Sequence, residues 1–183
     1  MTTEPNTNTL NELLENLAGL LQQKGETLST AESCTGGMVA SELVGLPGAS
    51  VFFKGGACTY WNDAKRDILG VPQDTLDRFG AVSEETALAM AEGARRIYKT
   101  DWAVSTTGIA GPDGETKEKP VGLVWMAVVS DCKKIVFCEK FSGNRGQIRQ
   151  KSVFKVLDAL RGALTNKKMN RKALAQKFSS LYI

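Results

Sequence analysis

The sequence predicts an α/β fold, a three-layer α/β/α sandwich around a mixed, mostly parallel sheet. Three observations carry that expectation. Segments with helical spacing of apolar residues alternate with short strand-like runs, and such alternation builds a parallel sheet covered by helices on both faces. Two further strand-like runs, 122–129 and 134–141, are separated only by Ser130–Lys133. So close a connection implies an antiparallel hairpin. Finally, 183 residues with 42% apolar content suit one globular domain with a sizeable core.

The elements follow in order. Residues 1–9 read as a disordered lead-in, 10–166 as the domain and 167–183 as a basic tail. Leu10, Leu13, Leu14, Leu17, Leu20 and Leu21 keep helical spacing and predict an amphipathic helix ending near Lys24-Gly25. Residues 27–32 read as a short strand, and Ser33-Cys34-Thr35-Gly36-Gly37 turns into a helix reaching about Leu43, stopped by Gly45-Leu46-Pro47-Gly48. Residues 55–61 read as a strand, with Asn62 as the cap of a short helix to about Leu69. Ser83-Glu84-Glu85 opens a long helix with Ala87, Met90, Ala91, Ala94 and Ile97 on its apolar face. A strand at 102–107 runs into a glycine-rich loop, the hairpin follows, and 142–146 leads into a last helix marked by Val153, Val156, Leu157, Leu160 and Leu164.

Composition excludes several chemistries. The chain contains no histidine, which removes Ser-His-Asp and Cys-His catalysis and every His-ligated metal. Cys34, Cys58, Cys132 and Cys138 form no C-x-x-C pair, so no zinc ribbon or redox dithiol is expected, and the cysteines are read as reduced thiols. The net charge is +3, yet Lys167, Lys168, Arg171, Lys172 and Lys177 supply five positive charges with no acid among them, leaving a body of net −2. A nucleic-acid partner is not expected of that body. No apolar run reaches membrane-spanning length and the N-terminus lacks a signal-peptide pattern, so a cytoplasmic location without membrane association is expected.

Four constellations can carry chemistry. In Thr30–Gly37 a strand end meets a helix start, where the hydroxyls of Ser33 and Thr35, the Cys34 thiol and two glycines gather. Unpaired N–H groups there favour an anion. Ser33 is a candidate nucleophile with Cys34 as its rival, and a capping serine beside a buried cysteine is the plain structural alternative. In Tyr60-Trp61-Asn62-Asp63-Ala64-Lys65, Lys65 falls in a first helical turn, where the helix dipole disfavours its charge. A lysine held neutral is a base, and Ser plus Lys is a nucleophile–base pair open to a chain without histidine. An exposed surface lysine is the other reading. Ser105–Gly114 is a strand emptying into a glycine-rich loop, matching neither a Walker A loop nor a dinucleotide fingerprint. Ser142–Arg149 sets Arg145 and Arg149 about a helix start, where arginines fork phosphates or carboxylates.

Taken together these motifs resemble the CinA C-terminal family. The resemblance rests on Ala31–Gly37, Tyr60-x-Asn62-x-x-Lys65, Gly80-Ala81-Val82-Ser83, Thr107–Gly114, Lys119-Pro120-Val121-Gly122 and Phe141-Ser142-Gly143-x-Arg145, in order over about residues 10–165. It implies a stand-alone PncC-type nicotinamide-nucleotide amidase, with no counterpart of the N-terminal pyrophosphatase domain of full-length members. The implied reaction hydrolyses nicotinamide mononucleotide to nicotinate mononucleotide and ammonia, in NAD recycling. By the same resemblance Ser33 is the nucleophile, Lys65 and Tyr60 its proton-transfer partners, and Thr107 and Arg145 further active-site residues. Cys34, Thr35, Gly36, Gly37 and Gly108 are expected to bind substrate, with amides at 34–37 or at Gly108 holding the oxyanion. Arg145 and the glycine-rich helix start are alternatives for the phosphate. No metal or cofactor is implied, and a homo-oligomer is expected.

Two features depart from the family pattern. Trp61 stands where a smaller residue is expected, and the basic tail lies beyond the expected end of the domain. The alternative reading is a catalytically silent nucleotide-binding or regulatory module linked to competence or DNA damage. The complete Ser33/Tyr60/Lys65/Thr107 set argues for the amidase.

Overall fold

The computed structural model describes residues 7–165. Strand β1 (Leu28–Glu32) lies inside a five-stranded sheet, parallel to β2 (Phe53–Cys58) on one side and to β3 (Trp102–Gly108) on the other. Strands β4 (Leu123–Val129) and β5 (Lys134–Lys140) continue the sheet antiparallel, giving the order β2-β1-β3-β4-β5. The sheet is therefore mixed, as expected, with its parallel part confined to β2, β1 and β3. Helices α1 (Thr7–Lys24), α2 (Met38–Val44) and α6 (Arg145–Leu164) cover one face. Helix α5 (Glu84–Tyr98) covers the other, with α3 (Asn62–Leu69) and α4 (Gln73–Phe79) packed against it.

Alternation along the strands feeds two cores. Leu28, Val104, Met126 and Val128 point toward α1 and α6, where Leu17, Leu21, Leu157 and Leu160 are fully buried. Ala31, Ala57, Ala103 and Ala127 point the other way, and α5 meets them with Ala87, Ala91 and Ala94. Small residues on both surfaces let α5 lie close to the sheet. Its N-terminus is capped as the sequence suggests, since the Thr86 amide donates to Ser83 Oγ at 3.2 Å.

Gly93 in the middle of α5 shows how closely the outer helices pack. A Cβ there would lie 2.1 Å from the Leu69 carbonyl oxygen at the end of α3. Ordinarily Gly→Ala inside a helix stabilises by about 1 kcal/mol. Here backbone blocks the methyl group, and Gly93→Ala is expected to destabilise by about 1–3 kcal/mol. Urea denaturation measures this, and a stabilised alanine variant contradicts the packing.

Two element bounds differ from expectation. Helix α1 already begins at Thr7, three residues before Leu10. Residues 1–6 and the tail 167–183 lie outside the described residues. Helix α2 begins at Met38, not at Ser33, because Gly36 (φ 59°) and Gly37 (φ 93°) are both left-handed. That conformation, which side chains disfavour, turns the chain from β1 before the helix can start. No helix among the described residues is long and apolar enough to cross a membrane.

Candidate active site

The parallel strands end together. The Ser33 amide donates to the Thr106 carbonyl at 2.9 Å, and the Thr59 amide donates to the Glu32 carbonyl at 2.8 Å. The segments leaving β1, β2 and β3 thus emerge side by side beyond the carboxyl ends of parallel strands, the usual location of α/β ligand sites. A cavity of about 180 Å³ opens there, and Ser33, Cys34, Tyr60, Lys65, Thr107, Gly108 and Arg145 line it. Ala81, Val82 and Ala110 complete its wall. Of the site residues expected from the sequence, the fold thus brings seven to one cavity.

Lys65 is the most unusual group in it. Only 1% of the residue is exposed. Its Nζ donates to the carbonyls of Thr59 at 2.9 Å and Tyr60 at 3.1 Å, and it forms no ion pair among the described residues. Burial pushes its pKa below the usual lysine value. Negative charge on Cys34 or Cys58 would push the other way, but burial drives the Cys34 thiol up to about 12 and also raises Cys58, so both sulfurs are protonated near neutrality. A neutral amine has two protons, and two carbonyls accept them; the lone pair is left to the remaining tetrahedral direction. Trp61, in extended conformation, is the cap of α3 in place of Asn62. Lys65 nonetheless stays in the first turn, its amide bonded to the Trp61 carbonyl at 3.1 Å.

The other members have definite partners. Thr107 Oγ1 donates to the Ala81 carbonyl at 2.6 Å, tying the end of β3 to the loop before α5. Arg145 donates to the Gly111 carbonyl at 2.7 Å and to the Tyr60 hydroxyl at 3.1 Å. It bridges two loops over the cavity. The Tyr60 phenol is therefore held by Arg145, while Lys65 is bonded to the Tyr60 backbone. Ile109 donates to the Leu123 carbonyl, so the alternation of an antiparallel ladder turns the Gly108 amide away from β4 and toward the side of Ser33. Gly108 itself is required by β4, since a Cβ would lie 2.6 Å from the Leu123 carbonyl oxygen.

The helix start requires a correction. Glu32, only 1% exposed, folds its carboxylate back under α2. It accepts from the amides of Gly37 (2.9 Å), Val39 (3.0 Å) and Ala40 (2.8 Å) and from Thr35 Oγ1 (2.7 Å). The Gly36 amide is bonded to the Ser33 carbonyl at 3.1 Å. A resident carboxylate thus occupies the N-terminus that the sequence offers to a phosphate or an oxyanion. Thr35, Gly36 and Gly37 do not line the cavity; they shape the turn. Sequence reasoning missed this role of Glu32, although an acid five residues before a glycine cap was a visible signal. It also read Arg149 as an anion fork, whereas the guanidinium is bonded to the carbonyls of Cys34 and Thr35.

A second, wider groove of about 550 Å³ lies where β4 ends and β3 begins. Two ion pairs lie in it, Arg95 with Asp131 and Lys134 with Glu92, and Arg96, Lys99 and Asp101 also line it. The smaller cavity gathers the site residues expected from the sequence and is the candidate active site. The described residues contain no cluster of His, Cys, Asp or Glu able to hold a metal. With no histidine in the chain, turnover is expected to survive dialysis against EDTA. Activity lost to the chelator and restored by a divalent ion contradicts that expectation.

The likenesses to known proteins agree with this geometry. The chain is 47% identical over 159 residues to a putative competence-damage inducible protein of Caldanaerobacter subterraneus subsp. tengcongensis, covering 87% of this chain and 39% of that protein. It thus spans about two-fifths of the length of that curated relative. Among solved structures it resembles the competence/damage inducible protein CihA of Agrobacterium tumefaciens, with 41% identity, a TM-score of 0.81, and coverage of 91% of this chain and 100% of that one. It also resembles the competence damage-inducible protein A of Klebsiella pneumoniae, with 33% identity, a TM-score of 0.83, and coverage of 87% and 99%. The family model for the CinA C-terminal domain matches residues 10–164, and the chain belongs to that family.

Proposed function

We propose that this protein is an amidohydrolase that converts nicotinamide mononucleotide to nicotinate mononucleotide and ammonia. One observation carries the reading. A serine and a buried lysine that forms no ion pair among the described residues share one cavity in a chain without histidine. That is the equipment for acyl transfer by a Ser-Lys pair. Neutral Lys65 takes the Ser33 proton as Oγ attacks the carboxamide carbon. The Gly108 amide faces the developing oxyanion. The C–N bond breaks as Lys65 returns the proton to the leaving nitrogen, and water then cleaves the ester with Lys65 again as base.

The dimensions support a planar carboxamide ring within the cavity. At about 180 Å³ the cavity lies below the ~300–1,000 Å³ of ordinary ligand pockets, which suits the ring rather than the whole nucleotide. The ribose phosphate would extend past Tyr60 and Arg145 toward solvent. Arg145 then remains as the phosphate candidate, because Glu32 fills the helix start.

Proton NMR of nicotinamide mononucleotide incubated with the protein tests the reading. The expected product is the acid with its glycosidic bond intact. Free nicotinamide would mean a different bond is cut. Saturable binding with unchanged ligand would favour the silent regulatory module.

A further inference from the structure

The turn that carries Ser33 is gripped from two sides by groups that do not line the cavity. Glu32 holds it from below through the amides of α2. From the opposite side α6 delivers Arg149, one turn beyond Arg145. Its Nε donates to the Cys34 carbonyl at 3.1 Å and its terminal nitrogen to the Thr35 carbonyl at 2.6 Å. These are successive carbonyls immediately after the serine. At Gly36 the left-handed φ of 59° calls for glycine, and a Cβ there would only touch the guanidinium at 3.4 Å. Arg149 is half-buried, does not line the cavity and forms no ion pair among the described residues.

Peptide planarity makes this grip reach the nucleophile. In a trans peptide the C=O and the following N–H point in opposite directions. Fastening the Thr35 carbonyl to Arg149 fixes the opposite direction for the Gly36 amide, which donates to the carbonyl of Ser33 itself at 3.1 Å. Fastening the Cys34 carbonyl fixes the plane in between. Two glycines in left-handed conformation follow, so this stretch has few side chains to hold it otherwise. Resting on the reading of Ser33 as nucleophile, we propose that Arg149 is a positioning residue for it: by forking the Cys34 and Thr35 carbonyls from α6, it fixes the backbone that seats the serine in the cavity.

The test compares the parent with Arg149→Lys and Arg149→Met. Lysine supplies one compact donor in place of a fork, and methionine supplies none. The first readout is the rate at which a fluorophosphonate labels Ser33. Oγ forms a bond to phosphorus, fluoride leaves, and the serine proton passes to Lys65; no recognition of the nucleotide is needed. The second is kcat and KM for amide hydrolysis across pH. Labelling is expected to slow in the order parent, lysine, methionine, by about 10-fold to 100-fold for methionine, since misplacement by about 1 Å costs that much. kcat should fall by the same factor, with KM unchanged within about twofold and the pH midpoint unmoved. Equal labelling in all three proteins overturns the proposal. So does a raised KM with unchanged labelling, which would make Arg149 a substrate contact. If the methionine variant does not fold, the lysine variant, which keeps charge and bulk, decides by the same two readouts. A parent that is labelled but hydrolyses no nucleotide refutes the substrate assignment while labelling still judges Arg149. A parent that hydrolyses but resists labelling refutes Ser33 as nucleophile and Arg149's role with it.

Discussion

Ser33→Ala is expected to lower kcat/KM by a factor on the order of 10³ or more, because it removes the atom that attacks. Cys34→Ala should keep much of the activity. The two residues are adjacent and both line the cavity, so sequence alone leaves them as rivals. Burial separates them. The Cys34 thiol is pushed up to about 12, and a thiol protonated at neutral pH is a poor nucleophile. Steady-state kinetics on both variants measures the difference. An active Ser33→Ala beside a dead Cys34→Ala would reverse the assignment.

Lys65→Arg is expected to lose about 10²–10⁴-fold in kcat, the range for a general base. Arginine keeps the charge and cannot deprotonate. In the parent, activity should rise with pH through an apparent pKa below the ordinary lysine value of 10.5. The same shift makes a stability prediction. Between the native pKa and 10.5 the unfolded chain binds the Lys65 proton and the native one does not. Stability therefore rises with pH across that window. Below it, burying the charge costs a constant amount. Lys65→Met cannot titrate, so the parent should gain stability relative to it as pH climbs toward 10.5, whatever the offset at neutrality. Urea midpoints at several pH values measure this. An arginine variant with wild-type kinetics, or parallel stability curves, would make Lys65 a structural residue.

The long elements were legible because their periodicity is long. Helices α1, α5 and α6 each bury a recurrent apolar stripe, and the hairpin announces itself by its short connection. Helix α4 was not read. Its sequence QDTLDRF offers one turn of pattern, too little to distinguish from a loop. The helix start at Ser33 was read too early because two adjacent glycines look like a ligand-binding turn, while their backbone angles delay α2 to Met38.

The site divides the same way. Ser33, Tyr60, Lys65, Thr107 and Arg145 sit at strand ends and helix starts, positions a sequence marks with turn residues. The two groups that hold the turn around Ser33 bond chiefly backbone atoms, so Arg149 leaves no signature in sequence and Glu32 only its place five residues before a glycine cap. Glu32 finds amides up to eight residues away, and Arg149 finds carbonyls 114 and 115 residues away. Such pairings follow only from the fold that brings α6 over the end of β1.

Ammonia release from nicotinamide mononucleotide, measured on the purified protein and on Ser33→Ala prepared alongside it, tests the central claim most directly. The account predicts one ammonia per nicotinate mononucleotide formed by the parent and only background from the variant. Nucleotide bound by both proteins with no ammonia from either, or equal ammonia from both, would contradict it.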